Sequence, residues 1–229
     1  MLLYNTYESM SIAAAHFFTI EYDRAVTRHG KFVVALSGGN TPRHMYELLA
    51  SHVYSLNIDW KKVFVFFSDE RYVPQNNKDS NYKMANDNLL KEIDIPAKNI
   101  FAIPTSSTPE KDALKYETSL RKMFKTKPTF DLLMLGMGAD GHTASLFPGS
   151  PLLKETRRWV KDVYVPATDT HRITFTLPMI NSARQTLILV SGHDKKPLIK
   201  KLIAKRSAGK LPVQLVKGNI TWMVDEGLY

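Results

Sequence analysis

Cysteine is missing from all 229 positions of the chain. That absence excludes disulfides, thiolate nucleophiles and cysteine-ligated zinc, and it suits a reducing compartment. Missing too is any stretch near the ~18 consecutive apolar residues that a membrane-spanning helix needs. The opening Met1-Leu2-Leu3-Tyr4-Asn5 has no basic n-region and no long apolar run, and the closing Glu226-Gly227-Leu228-Tyr229 is not a peroxisomal tripeptide. A cytoplasmic protein with no membrane partner is expected. No Pro/Gly/Ser-rich linker, low-complexity tract or fixed-period repeat divides the sequence, so residues 1–229 are expected to form one domain. Metal-ligand spacings such as His-Glu-x-x-His or an Asp-rich loop are absent as well, and neither a cofactor nor a required metal is expected.

What is present is enough apolar material for a substantial core, 44% hydrophobic and 10% aromatic. Lys and Arg number 31 against 22 Asp and Glu, a net charge of +9. Two thirds of that excess sits in residues 194–210, DKKPLIKKLIAKRSAGK, which hold seven basic residues against one acid. Leu198, Ile199, Leu202 and Ile203 recur at helical spacing inside the run, which predicts an amphipathic helix with a solvated basic face. No aromatics are interleaved there to stack on bases, and nucleic acid is not the expected partner.

The order of elements predicts an α/β fold. Met10, Ala13, Ala14, Phe17, Phe18, Ile20 and Ala25 outline a helix over 7–29, stopped by Gly30. A strand over 32–36 runs into Ser37-Gly38-Gly39-Asn40-Thr41-Pro42, with Thr41 as the expected N-cap and Pro42 as the first residue of the next helix. A second strand over 63–67 ends in Ser68-Asp69-Glu70-Arg71. Ser80 is expected to cap a helix over 81–92, and Thr108-Pro109-Glu110 to start one reaching about Phe124. Further strands are expected at 131–135, 160–165, 173–177, 186–190 and 220–224. Several are continuous apolar runs alternating with helices, the pattern of a mostly parallel sheet with helices on both faces. Ligands of such sheets bind beyond the carboxyl ends of the strands. Segments 37–42, 68–71 and 136–145 all lie at such ends.

The densest chemistry is in residues 135–145, LGMGADGHTAS. Three glycines open the backbone around Asp140-Gly141-His142. Histidine, with an unperturbed pKa of about 6.5, exchanges protons near neutrality, and a neighbouring carboxylate fixes its tautomer. The pair fits base-assisted chemistry; a turn-capping histidine beside a solvated aspartate is the plainer alternative. Gly136-x-Gly138-x-x-Gly141 formally matches the dinucleotide fingerprint, but Pro148 leaves little room for the long helix that would hold a pyrophosphate. Ser37-Gly38-Gly39-Asn40-Thr41 offers backbone amides and the positive end of a helix to an oxyanion. It lacks the Lys-Ser/Thr ending of a P-loop, and an ordinary glycine turn would look similar. Arg71 and Arg172 carry guanidinium forks suited to phosphate or carboxylate. Asp69-Glu70-Arg71 reads equally as a surface salt-bridge cluster, and Arg172 as a solvated strand-end charge.

Four segments, LSGGNTP at 36–42, SDERYVP at 68–74 with Ser80-Asn81 downstream, LGMGADGHTASLFPGS at 135–150 and RITFTLPMIN at 172–181, together resemble the 6-phosphogluconolactonase family of the glucosamine/galactosamine-6-phosphate isomerase superfamily. The likeness runs in order from about residue 10 to residue 225. It implies a modified Rossmann-like α/β fold and hydrolysis of 6-phospho-D-glucono-1,5-lactone to 6-phospho-D-gluconate in the oxidative pentose phosphate pathway. It implies that His142 is the base that activates water and Asp140 its partner. Substrate contacts are expected from Ser37, Gly38, Gly39, Asn40, Thr41, Asp69, Arg71, Gly138 and Arg172, with backbone amides around Gly136 to Gly138 as candidate oxyanion donors. A small sugar phosphate is the expected partner, and a monomer or weak homo-oligomer the expected state. Asn40 and the segment Ala167-Thr168-Asp169-Thr170-His171 depart from the family pattern. The related glucosamine-6-phosphate deaminases use a glutamate where this chain has Phe147, and a phenyl ring transfers no protons. Deaminase/isomerase activity remains the alternative, as does a non-catalytic sugar-phosphate-sensing module, which salt-dependent nucleic-acid affinity would reveal.

Overall fold

Residues 1–125, 127–204 and 211–225 are described by the computed structural model. In chain order they form β1 (Leu2–Tyr4), α1 (Tyr7–His29), β2 (Phe32–Leu36), α2 (Arg43–Ala50), α3 (His52–Ser55), β3 (Val63–Phe67), β4 (Asp69–Arg71) and α4 (Asn81–Asn88). There follow α5 (Pro109–Phe124), β5 (Leu132–Gly136), β6 (Val160–Val165), β7 (Thr170–Phe175), α6 (Leu177–Ile180), β8 (Gln185–Val190), α7 (Lys196–Ile203) and β9 (Ile220–Asp225). Six strands make a parallel sheet in the order β1-β9-β8-β5-β2-β3. Every residue of β2 and β8 is buried, as is β5 up to Gly136. A parallel sheet covered on both faces leaves its inner strands no polar side, hence the unbroken apolar runs.

Two of the expected strands lie elsewhere. β6 and β7 pair with the short β4 in a separate antiparallel sheet, ordered β4-β7-β6. β7 begins at Thr170 and stops at Phe175, earlier than 177, because Thr176 starts α6 and Pro178 in its first turn has no N–H for a ladder. The helix expected over 81–92 ends at Asn88. Leu89 leaves helical geometry, at φ −144° and ψ −64°, and Leu89 and Leu90 are both buried in the core. α7 carries residues 196–203 of the basic run, with Ile199 buried but Ile203 52% exposed, so its apolar stripe is narrower than the spacing implies. Residues 205–210 of that run and the closing 226–229 lie outside the described residues. Among the described residues no helix is long and apolar enough to cross a membrane.

α1 opens with Thr6 and Ser9 capping each other and closes at Gly30, whose φ of 78° suits glycine. Met10, Ala14, Phe18, Tyr22 and Ala25 are its buried stripe, and Phe18 meets Phe32 edge to face at 5.1 Å. The helix also substitutes for the cap expected of Thr41. α2 starts one residue later than anticipated, at Arg43, with no side-chain cap of its own. Its His44 amide instead donates to the Tyr7 hydroxyl at 3.2 Å, and that hydroxyl donates to the Asn40 and Thr41 carbonyls at 3.1 Å each. Tyr7→Phe should therefore lower stability by about 1 kcal/mol, read as a fall in the urea midpoint at unchanged m-value; an unchanged midpoint would deny Tyr7 this role.

The chain passes from β2 outward to β3, then returns to place β5, β8 and β9 on the opposite side of β2. The strand order thus reverses between β2 and β5. Loops leaving the carboxyl ends of these neighbours diverge, and the crevice they leave is where this architecture holds ligands.

Candidate active site

At that crevice lies a cleft of about 340 Å³. The loop after β2 forms one wall with Ser37 to Thr41, and the loop after β5 forms another with Gly136, Gly138 and His142. The second sheet supplies Asp69, Arg71 and Arg172. Of the expected catalytic and substrate-contact residues, Asp140 alone is not part of the cleft lining; its half-exposed carboxylate holds the imidazole that is.

The turn after β5 is tight. Gly138 N–H donates to the His142 carbonyl at 2.9 Å and Gly141 N–H to the Gly138 carbonyl at 3.0 Å, with Gly141 at φ 81°. The segment that matches a dinucleotide fingerprint is thus a reversal, not the entry to a helix. The Asp140 carboxylate accepts from the His142 amide at 3.0 Å and lies 2.6 Å from Nδ1 of the same residue. An ionised carboxylate can only accept, so Nδ1 carries the proton and the neutral ring keeps its lone pair on Nε2. Gly138 has a task other than the expected oxyanion contact. Its amide is committed to His142, whereas a Cβ on it would fall 2.1 Å from the His142 Cε1 and 2.2 Å from Nδ1. Gly138 provides the space in which the imidazole sits.

The facing wall is cationic. β4 and β7 place Arg71 opposite Arg172 in antiparallel register. Alternation along β4 sends the Glu70 carboxylate the other way, where it accepts from Ser80 Oγ and the Asn81 and Tyr82 amides at 2.7–3.0 Å and so caps α4. Burial lifts the Glu70 carboxyl above the ordinary carboxylate range, and these donors pull against the shift. Asp69 and Glu70 are almost wholly buried, which replaces the surface salt-bridge reading of this segment. Burial, then the neighbouring Arg71, holds the Arg172 guanidinium below its usual range, with Asp69 among the acids that oppose the shift. Arg71 Nη1 donates to the Asp79 carbonyl at 2.7 Å. Its Nε, the Nε of Arg172, Ser37 Oγ and Asn81 Oδ1 are four of the five buried side-chain polar atoms that have no hydrogen-bond partner among the described residues. All four residues line this cleft. Buried polar atoms are seldom left unpaired, so their concentration here marks where a polar ligand would complete the set.

Loop 37–41 is held close to this wall. The Tyr46 hydroxyl donates to the Ser37 carbonyl at 2.8 Å, Gly39 has φ 84°, and a Cβ on Gly38 would fall 1.8 Å from Asn81 Oδ1. Asn81 Nδ2 in turn donates to the Asp69 carbonyl at 2.9 Å, which joins the glycine loop to the second sheet. Among the described residues no group of three or more His, Asp or Glu side chains could hold a metal ion.

Residues 5–223 match the family model for glucosamine-6-phosphate isomerases/6-phosphogluconolactonase. The chain belongs to this family. A 6-phosphogluconolactonase from Synechocystis is 39% identical over 91% of this chain and 88% of its own length. The solved 6-phosphogluconolactonase of Trypanosoma cruzi superposes with a TM-score of 0.87 at 28% identity, covering 99% of this chain and 94% of that one. A monomeric glucosamine-6-phosphate deaminase superposes nearly as well, with a TM-score of 0.82 at 21% identity over 100% and 98% of the two chains, so the family fold alone does not separate the two chemistries. Within the family frame the cleft also holds residues that sequence reading passed over as site residues. Asn81 entered only as part of a motif. Asp194 and Lys195 were absorbed into the basic helix, yet α7 begins after them and both line the cleft beyond the end of β8, with Lys195 Nζ donating to the Ser191 carbonyl at 2.7 Å. The strand-end rule that picked out the other three loops applies to this one equally.

Proposed function

We propose that this chain is a 6-phosphogluconolactonase, hydrolysing 6-phospho-D-glucono-1,5-lactone to 6-phospho-D-gluconate in the oxidative pentose phosphate pathway, with His142 as general base and Asp140 orienting it. The observation that carries the reading is an imidazole fixed at Nδ1 by a carboxylate, facing two guanidiniums with unpaired Nε atoms across one cleft. A lactone already has an electrophilic carbonyl, so the protein must hold the phosphate, admit water to C1 and manage one proton. Nε2 of neutral His142 takes a proton from water as the water oxygen bonds to C1. Asp140 stabilises the imidazolium that results. Collapse of the tetrahedral adduct breaks the bond from C1 to the ring oxygen, and the imidazolium returns its proton to that oxygen. The carboxylic acid then loses its own proton to solvent.

The phosphate belongs with Arg71, Arg172 and loop 37–41. A dianion placed there relieves the mutual repulsion of the guanidiniums, and Lys195 lies within the same cleft. Arg172→Ala should raise KM for the phosphorylated lactone by about tenfold to a hundredfold with less change in kcat. Comparable wild-type kcat/KM values on the phosphorylated and unphosphorylated lactones would remove the phosphate site from the reading. Aldose–ketose isomerisation needs further acid–base groups around the ring, and Phe147 beside His142 supplies none. The deciding experiment is a timed hydrolysis of the phosphorylated lactone, corrected for its spontaneous opening, run beside a glucosamine-6-phosphate deamination assay. Turnover of the amino sugar alone would reverse the assignment. The reading takes residues 1–229 as one working unit in the cytoplasm, a monomer or weak homo-oligomer, with no nucleic-acid partner.

A further inference from the structure

The chain after the catalytic turn doubles back. Thr143 Oγ1 donates to the Gly136 carbonyl at 2.8 Å, Leu146 N–H donates to the Thr143 carbonyl at 2.9 Å, and Ala144 takes φ 47°, a left-handed conformation that non-glycine residues seldom adopt. Ser145 anchors the reversal. Its hydroxyl donates to Asp69 Oδ2 at 2.7 Å, and its amide donates to Thr174 Oγ1 at 3.1 Å. The outcome is that the ring of Phe147 comes back onto the imidazole of His142, with centroids 4.4 Å apart and planes inclined at 37°.

Asp140 holds the imidazole at Nδ1 and the ring is otherwise tied only through its own Cβ–Cγ bond, so the tilt that remains is set by what packs against the ring. Gly138 packs against the Nδ1–Cε1 edge and Phe147 against the ring. Proton abstraction also changes what Phe147 faces. The neutral imidazole becomes a cation, and an aromatic ring within about 6 Å attracts a cation that it did not attract before. An interaction that strengthens as the charge forms contributes to rate and not to uniform binding. We infer that Phe147 is a positioning residue for the proton transfer, holding the His142 imidazole in its working orientation and favouring the imidazolium that forms as water attacks C1. This rests on the assignment of His142 as the base.

The test compares Phe147→Ala, Phe147→Leu, Phe147→Tyr and Phe147→Trp in blank-corrected lactone hydrolysis. Phe147→Ala should lose about tenfold or more in kcat with KM within about twofold, and Tyr and Trp should restore kcat to within about threefold of wild type. Leu, which keeps bulk without the π face, guards against simple collapse of the turn and should fall below Tyr. In a His142→Ala background, Phe147→Ala should change nothing further, because it acts through the imidazole. The ring-current shift on the His142 Cε1 proton, assigned by comparison with His142→Ala, should vanish in Phe147→Ala and persist in Phe147→Tyr. A kcat for Phe147→Ala within twofold of wild type overturns the proposal, as does a loss that adds in full to that of His142→Ala, or a Leu variant as active as Tyr. Normal turnover by His142→Ala alone would instead sink the base assignment itself, an outcome distinct from an inert Phe147 beside an essential His142.

Discussion

Replacing His142 with alanine should lower kcat by at least about a hundredfold while KM moves only a few-fold. The asymmetry follows from the geometry. The groups proposed to hold the phosphate come from β4, β7 and the loop after β2, and none of them is held by the imidazole. Removing the ring deletes the proton acceptor and leaves the anchor for the substrate in place. Asp140→Ala should do less harm, because Nε2 can still accept a proton when the ring finds the right tautomer, but part of the population will carry its proton on the wrong nitrogen. A variant that folds normally, binds 6-phosphogluconate as wild type does and still turns the lactone over at near-normal kcat would take His142 out of the mechanism. The imidazole is partly exposed and bonded to a single partner of its own turn, so its removal should change unfolding free energy by less than about 1 kcal/mol. Loss of activity can then be read as chemistry.

How much of this was legible beforehand depends on which interactions fix each piece. β2, β3, β5 and β8 announced themselves because strands buried on both faces need largely apolar runs. β4 did not. Asp69-Glu70-Arg71 is polar throughout and is a strand only because β7 lies beside it, a pairing across about a hundred residues that no local pattern encodes. The same pairing separates β6 and β7 from the main sheet. At the site, the Asp140–His142 pair could be read directly since its partners are two residues apart. Asn81 could not, because its importance comes from the Gly38 loop closing on it from a distant part of the chain. Lys195 was missed for another reason. Its neighbours in sequence are the basic face of α7, and charge pattern pulled it into that helix when its place at the end of β8 was the stronger clue. The Thr41 cap failed likewise through a tertiary substitute, the Tyr7 hydroxyl from α1.

Gly138→Ala should be nearly as damaging to turnover as loss of the base, from the addition of one methyl group. Gly138 is not among the glycines of positive φ, so its backbone can accept a side chain and the requirement for glycine is one of space. The space is already taken. A Cβ there would lie 2.1 Å from His142 Cε1 and 2.9 Å from Asp140 Oδ1, both far inside van der Waals contact. Three responses are open to the protein: the turn can shift, the Asp140 bond can break, or the imidazole can swing out into the cleft. The turn is tied by backbone hydrogen bonds on both sides of Gly138 and by Thr143 to Gly136, whereas the imidazole has an open cleft beside it. The ring should therefore move, and displacement of a reacting group by about 1 Å costs on the order of a hundredfold in rate. Stability should stay within about 1 kcal/mol of wild type, because an allowed backbone conformation gains from the stiffer unfolded chain what it loses to the displaced contact. The diagnostic is the pairing of results: kcat reduced by about a hundredfold with thermal midpoint, 6-phosphogluconate affinity and phosphate contacts preserved. An alanine variant with wild-type kcat would mean that the imidazole does not need the position in which Gly138 and Asp140 hold it, and the orientation argument for this site would fall with that result.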